Sequence, residues 1–120
     1  MKREESFDLH VTVPMAIDAI VHAFATVRGC SFHRVEANGV VRGSTSFNLA
    51  TYGEALTGWA VPLGATTSRV TIVAEDSMPL QLFDWGRKRK MLEKLRLAVC
   101  DRAASAATAH PEVPPPPFIR

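Results

Sequence analysis

The sequence predicts an α+β fold with the element order β-α-β-β-β-β-α, in which two helices pack on one face of a mostly antiparallel sheet. Two segments, one near each end of the chain, have apolar residues at helical spacing. Between them lie short runs of strand-like residues separated by turn signals such as Asn38-Gly39. Because most connections are too short for a crossover, neighbouring strands are expected to be antiparallel.

The first strand and helix are predicted from clear periodicities. Residues 5–13 alternate, with Phe7, Leu9, Val11 and Val13 on the face expected to be buried. Pro14 is tolerated in a first helical turn, and Gly29 is a typical C-cap, so a helix is expected over residues 15–28. Its apolar stripe contains these residues: Ile17, Ile20, Val21, Phe24 and Val27.

Four further strands and the second helix follow. Strands are expected over residues 30–36, 40–49, 54–61 and 69–75, with a turn at Pro62-Leu63-Gly64. In the last of these strands, Val70, Ile72 and Ala74 lie on one side, which is expected to be buried. Gly58 inside a strand indicates a bulge or a close approach of another element. The second helix is expected to begin near Trp85 with Asp84 as its N-cap. Its apolar stripe is Met91, Leu92, Leu95, Ala98 and Val99, and the packed part is expected to end before Arg102.

Length and composition fit one domain. The chain has 120 residues and 47% hydrophobic residues, so we assign residues 1–109 to a single α+β domain. Residues 110–120 contain Pro114 to Pro117 in a row and are expected to form a flexible tail without regular structure. No run approaches the ~18 apolar residues of a membrane span. Cys30 and Cys100 form no CxxC pair, which favours free thiols and a cytoplasmic location.

Two groups of short motifs resemble a known kind of domain. Ser44-Thr45-Ser46-Phe47 with Tyr52-Gly53-Glu54, and residues 79–86 (PLQLFDWG), resemble small uncharacterised bacterial domains of helix-grip type. The element order is also similar to domains of outer-membrane assembly lipoproteins. The resemblance covers most of residues 5–99 and implies a fold and a bacterial source, but no activity. Helix-grip architectures often hold a small ligand between the long helix and the sheet.

A basic run is the most prominent charge feature. Residues 86–96 contain six basic residues against one acidic residue, although the net charge of the whole chain is only +2. Arg87, Lys90 and Lys94 lie on one side of the apolar stripe and are the candidate anion or nucleic-acid contacts. The other basic side chains border the opposite side, and no aromatic residues interleave with the run, so a solvated face is favoured over nucleic-acid binding.

Catalytic and metal-binding patterns are absent from the sequence. There is no nucleophile elbow and no phosphate-binding loop. His10, His22, His33 and His110 are not accompanied by the further ligands that a zinc site needs at recognisable spacing. Asp18 and His22 have the spacing of a surface pair on one helix. We therefore expect no enzyme, no cofactor and no metal.

Three hypotheses of function remain, in order of preference. The first is a non-enzymatic binding or assembly module that contacts a protein partner or a second copy of itself. Its candidate partner face is the uncovered side of the sheet, with Val35, Val40 and Val73 among polar residues. The alternative is a carrier or sensor of a small apolar ligand held between helix and sheet, and nucleic-acid binding through the basic helix is third. The interior is expected to be filled by large side chains, including Phe24, Trp59 and Leu95.

Overall fold

The computed structural model describes residues 2–45, 55–75 and 85–109, without the side chains of residues 85–88 and 106–109. The order of elements is the one predicted. The elements are β1 (Lys2–Leu9), α1 (Val13–Thr26), β2 (Cys30–Val35), β3 (Val41–Thr45), β4 (Ala55–Gly64), β5 (Thr67–Glu75) and α2 (Trp85–Ala109).

The five strands form one antiparallel sheet in the order β1-β5-β4-β3-β2. The strands β2 to β5 follow one another as neighbours, and β1 pairs with β5 at the other edge. The apolar residues of both helices and the alternate residues of the strands join in a single core cluster. Both helices therefore cover the same face of the sheet, which confirms the α+β prediction.

The core lies between the helices and the sheet. Phe24, Leu95 and Val99 are buried beside Val11 and Ile72, as predicted. Ile17, which was expected to be buried with them, is only half-buried at the edge of the cluster. Every second residue of β5 is fully buried on the helix side, namely Ser68, Val70, Ile72 and Ala74. These contacts bury the apolar stripes that the sequence shows on both helices.

Two glycines allow α1 to lie close to the sheet. A Cβ atom at Gly58 would lie 2.8 Å from Cγ2 of Ile20, and one at Gly43 would lie 2.8 Å from Cδ2 of Phe24. Real Cβ atoms almost never approach other heavy atoms so closely. The two glycines thus provide the space that Ile20 and Phe24 fill, and the prediction of a close approach at Gly58 is confirmed.

The β2–β3 connection is a tight hairpin at Asn38-Gly39, as predicted. The N–H of Gly39 donates to the carbonyl of Glu36 at 2.8 Å, and the Asn38 side-chain oxygen accepts from the N–H of Val40 at 3.1 Å. Gly39 has φ +89°, a conformation that suits glycine. Because this position closes the loop, the Asn-Gly pair determines where the hairpin turns.

Several element boundaries differ from the prediction. The first strand ends at Leu9 rather than at residue 13, although Val11 is still buried. Pro62-Leu63-Gly64, predicted as a turn, forms the end of β4, and Gly64 still pairs with Thr67. The register shifts between Pro62 and Gly64, where a proline without an N–H donor can be accommodated in a strand.

The packed face of α2 is longer than predicted. Ala103 is buried one turn after Val99, so the contact with the sheet continues beyond Arg102. Arg102 itself is exposed, and its Nε donates to Oδ2 of Asp18 on α1 at 3.3 Å. The expectation that packing ends before Arg102 is wrong because this side chain leaves the apolar stripe to reach the neighbouring helix.

Some predictions concern residues outside the described ranges. They are the N-cap at Asp84, the end of the strand predicted over residues 40–49, most of the helix-grip motifs, the side chain of Arg87, and the tail of residues 110–120.

Candidate ligand-binding groove

An apolar groove of about 280 Å³ lies between the end of β1 and the C-terminal half of α2. The strand side contributes four consecutive residues, and the helix side contributes three. The lining residues are Asp8, Leu9, His10, Val11, Cys100, Ala103 and Ala104.

The groove exists because small side chains face the end of β1. Ala103 and Ala104 occupy the helix where larger residues would close the gap to Leu9 and Val11. The strand side is held in place by Ser68 of β5, whose buried hydroxyl donates to the carbonyl of Val11 at 2.7 Å. Leu9, Val11 and Ala103 are all buried, so they form an apolar floor.

The acidic residue among those that line the groove, Asp8, has its carboxylate paired with a basic side chain. Arg69 donates through Nε to Oδ1 of Asp8 at 2.8 Å, and this hydrogen bond holds the pKa of Asp8 below its ordinary value of 3.8. The carboxylate is therefore ionised at neutral pH and neutralised by its partner. On the helix side, burial raises the pKa of the Cys100 thiol above its ordinary 9.0, so the thiol is uncharged. The groove thus presents little net charge to an occupant.

A testable prediction about the pKa of Asp8 follows from its pairing with Arg69. A carboxylate whose pKa is lowered in the folded protein adds stability above its unfolded pKa, and that contribution is lost as the pH falls through the folded pKa. In Arg69→Gln, the pKa of Asp8 is expected to rise toward 3.8, because the hydrogen bond and the charge of Arg69 are both removed. Titration of the carboxyl carbons by NMR measures this rise.

Glu36 serves as the internal control for that titration. Its pKa is lowered mainly by the hydrogen bond from Arg42, so it should titrate identically in the wild-type protein and in Arg69→Gln. An unchanged pKa of Asp8 in the variant would contradict the role given to Arg69.

Among the described residues, the core around Phe24 and Leu95 is filled. Both side chains are fully buried, and no space that would admit a water molecule lies against either of them. Trp59, expected to point inward with them, pairs with Thr71 on the opposite face of the sheet. It lies one residue after the core-facing Gly58, so strand alternation directs it away from the helices. The groove at the edge of the helix layer is therefore distinct from the filled interior.

A second, more polar groove of about 440 Å³ lies between the two helices. Its lining residues are His22, Thr26, Ala98, Asp101, Arg102 and Ser105. The ion pair of Arg102 with Asp18, at 3.3 Å, joins the helices beside it. Asp18, whose spacing from His22 would permit a pair on the same helix, thus pairs with Arg102 of the other helix. Polar groups on both walls make this groove a poor match for an apolar molecule.

The three residues of the candidate partner face are placed differently from one another. Val40 and Val73 lie next to the core-facing Val41 and Ile72, so alternation puts both on the uncovered face. Val40 is half-buried, and Val73 is only 8% exposed. The expectation for Val35 is wrong, because it pairs with Val41 and is therefore on the helix side.

A register shift explains the error at Val35. Between Phe32 and Arg34 the pairing of β2 with β3 slips by one residue. Such a bulge inverts the alternation beyond it. Val35 consequently lies on the helix side at the exposed end of the edge strand, rather than on the uncovered face.

Polar side chains on the uncovered face bond to one another. Arg42 donates to Glu36 at 3.0 Å and to the hydroxyl of Thr57 at 3.1 Å. The hydroxyls of Ser6 and Thr71 are 2.9 Å apart. The Nε2 atom of His33 lies 2.9 Å from the hydroxyl of Ser44. These groups satisfy one another, which is typical of a solvated face.

The basic run does not gather into one patch among the described side chains. Lys90 and Lys94 are exposed on α2. Arg96 turns toward β1, where it donates to Glu5 at 3.2 Å and lies 5.8 Å from the centre of the Phe7 ring. Arg96 therefore helps to attach α2 to the edge strand.

The histidines do not gather into a metal site. No group of three or more His, Cys, Asp or Glu side chains that could hold a metal ion occurs among the described residues. His10, at the rim of the apolar groove, and His22, in the polar groove, line different concavities. Within the same described ranges, no helix is long and apolar enough to cross a membrane.

Sequence reasoning missed the residues that make the groove. Leu9 and Val11 were recognised only as core residues, and no role was assigned to Ala103 and Ala104. The available signal was a cluster of alanines at the end of a helix whose earlier turns carry Leu and Val on the packed face. Small residues in such a place indicate either close helix packing or a gap, and only the position of β1 distinguishes the two.

Comparison with solved structures identifies the fold. A START superfamily protein from Mycobacterium smegmatis matches with a TM-score of 0.57 and 12% identity, over 88% of this chain and 98% of that one. The chain has the helix-grip fold. A protein from Thermus thermophilus matches with a TM-score of 0.45 and 13% identity, over 89% and 99% of the two chains. The sequence matches no protein-family model and no curated protein.

The helix-grip fold agrees with the resemblance drawn from the sequence motifs. At 12% identity the likeness concerns the fold alone. The similarity to domains of outer-membrane assembly lipoproteins is not found among these structures. The helix α2 corresponds to the long helix that packs on the sheet in the helix-grip fold. The apolar groove lies between this helix and β1.

Proposed function

We propose that the protein is a non-enzymatic binding protein that holds a small apolar ligand in the groove between α2 and the end of β1. The observation that carries this proposal is the apolar floor that Leu9, Val11 and Ala103 form at the edge of the core. Ligand sites are typically concave and apolar with a few polar groups at one side. The groove has this composition.

The fold favours a ligand-binding function over a protein-contact function. Helix-grip architectures often hold a small ligand between helix and sheet, which is where the groove lies. Of the valines suggested for a partner face, Val35 lies on the other side of the sheet and Val73 is almost buried. The order of preference is therefore reversed, and the protein-contact hypothesis is the second candidate.

The size and the charge of the groove restrict the kinds of ligand that it can hold. The volume of about 280 Å³ is just below the ~300 Å³ at the lower end of ligand pockets, so the ligand is small or partly exposed. The paired carboxylate of Asp8 and the neutral thiol of Cys100 offer no free charge, which favours an uncharged molecule. His10 at the rim is available to hydrogen-bond a single polar group on it.

A neutral fluorescent probe tests the groove directly. N-phenyl-1-naphthylamine is apolar and becomes strongly fluorescent when it leaves water. Its binding is expected to weaken by about tenfold or more in Ala104→Phe, because the new ring occupies the groove. Fluorescence titration gives the Kd, and NMR shifts should locate the probe beside Leu9, Val11 and Ala103.

Ser105→Phe is the matched control. Ser105 is the next residue on α2, is also exposed, and lines the polar groove instead. The Ser105→Phe substitution should leave the Kd of the probe within about twofold of the wild-type value. Absence of saturable binding to the wild-type protein, or an equal loss in both variants, would count against the proposal.

A further inference from the structure

The tip of the β4–β5 hairpin, residues 61–66, is an exposed apolar surface. All six residues are exposed, including Val61, Pro62, Leu63 and Ala65. Leu63 is 47% exposed, a large value for a leucine that sits in a strand. Residues 55–68 contain no charged side chain in a chain in which charged residues make up 22%. The tip is therefore both apolar and free of charge.

The tip extends beyond its neighbours in the sheet. Pairing of β3 with β4 stops at Gly58, and pairing of β1 with β5 stops at Ser68. Pairing of β4 with β5 continues from there to Gly64 and Thr67. Beyond Pro62 and Ser68 the tip is thus a two-stranded ribbon, because β3 does not reach past Gly58 and β1 pairs no further along β5 than Ser68.

We propose that this tip inserts into the interface of an uncharged lipid bilayer. A narrow convex ribbon offers far less area than the ~1,600 Å² of a standard protein–protein interface, whereas a bilayer adapts to any convex shape. Exposed apolar side chains partition into the bilayer interface in proportion to the apolar area that they bury. The absence of charge in the tip favours zwitterionic over anionic lipid.

The position of the tip supports a lipid surface over other partners. Ser68, two residues after the tip, donates a hydrogen bond to the carbonyl of Val11, which lines the apolar groove. The tip and the groove therefore lie at the same end of the molecule. Contact of the tip with a bilayer would bring the groove close to a source of apolar molecules, although the contact itself does not require the groove to be occupied.

Sedimentation with phosphatidylcholine vesicles tests the contact, with no ligand or probe added. We expect weak binding, below the ~10⁴ M⁻¹ of a single myristoyl chain, so lipid at millimolar concentration is used. The double variant Val61→Ser, Leu63→Ser should reduce the partition coefficient by at least about fivefold, because half-exposed apolar side chains are replaced by polar ones. Its thermal melt, followed by circular dichroism, verifies that the variant is folded.

Leu97→Ser is the matched control. Leu97 is 61% exposed and belongs to α2 rather than to the tip, so its substitution should leave the partition coefficient unchanged. Raising the salt concentration should also have no effect. The proposal is overturned if the wild-type protein does not sediment, if Leu97→Ser loses as much binding, or if binding requires anionic lipid and disappears in high salt. Titration with N-phenyl-1-naphthylamine without vesicles tests the groove separately, so either proposal can fail alone.

Discussion

Phe24→Ala is expected to lower the free energy of unfolding by about 3–5 kcal/mol, a large part of the 5–15 kcal/mol typical of a domain. Phe24 is among the largest fully buried side chains and lies on the sheet over Gly43 and Gly58. Neither glycine has a side chain that could move into the space left by the ring. The cavity should therefore persist, and its cost adds to the lost burial.

Urea denaturation followed by circular dichroism measures the effect. Leu97→Ala is the control, since the same kind of truncation at an exposed position should change the free energy of unfolding by no more than about 0.5 kcal/mol. A loss below about 1 kcal/mol in Phe24→Ala would show that the core is looser than the structure indicates.

Gly43→Ala is expected to destabilise the protein by about 1–3 kcal/mol or more, although alanine normally suits a strand better than glycine does. A Cβ atom at this position would lie 2.5 Å from the carbonyl oxygen of Ser31 and 2.8 Å from the ring of Phe24. The ring is packed in the core and the carbonyl belongs to the neighbouring strand. Neither can move without disturbing the sheet or the helix above it.

Gly64→Ala is the matched control for that substitution. No heavy atom lies within 4 Å of a Cβ atom at Gly64, and its φ is not in the positive range that disfavours alanine. It should be neutral or stabilising by about 0.4–1 kcal/mol, because alanine reduces the entropy of the unfolded chain. Equal unfolding midpoints for Gly43→Ala and Gly64→Ala would contradict the packing of α1 against β3.

The order of elements, the pairing direction of the strands and most of the core could be predicted from the sequence. Helical periodicity identified Phe24, Leu95 and Val99, and alternation identified Val70 and Ile72, because burial of one face imposes these periods directly on the residues. Asn38-Gly39 identified the hairpin for a comparable reason. The backbone conformation needed there is local and favours few residues.

The placement of Val35 and the groove depended on the tertiary structure. Alternation alone puts Val35 on the uncovered face, but the bulge after Phe32 depends on how β2 pairs with β3, so no pattern within β2 reveals it. The groove depends on the distance between Ala103 and Leu9, which are far apart in the chain. A local sequence pattern reports which face of an element is apolar. The space left between two such faces is decided only when both elements have packed on the same sheet.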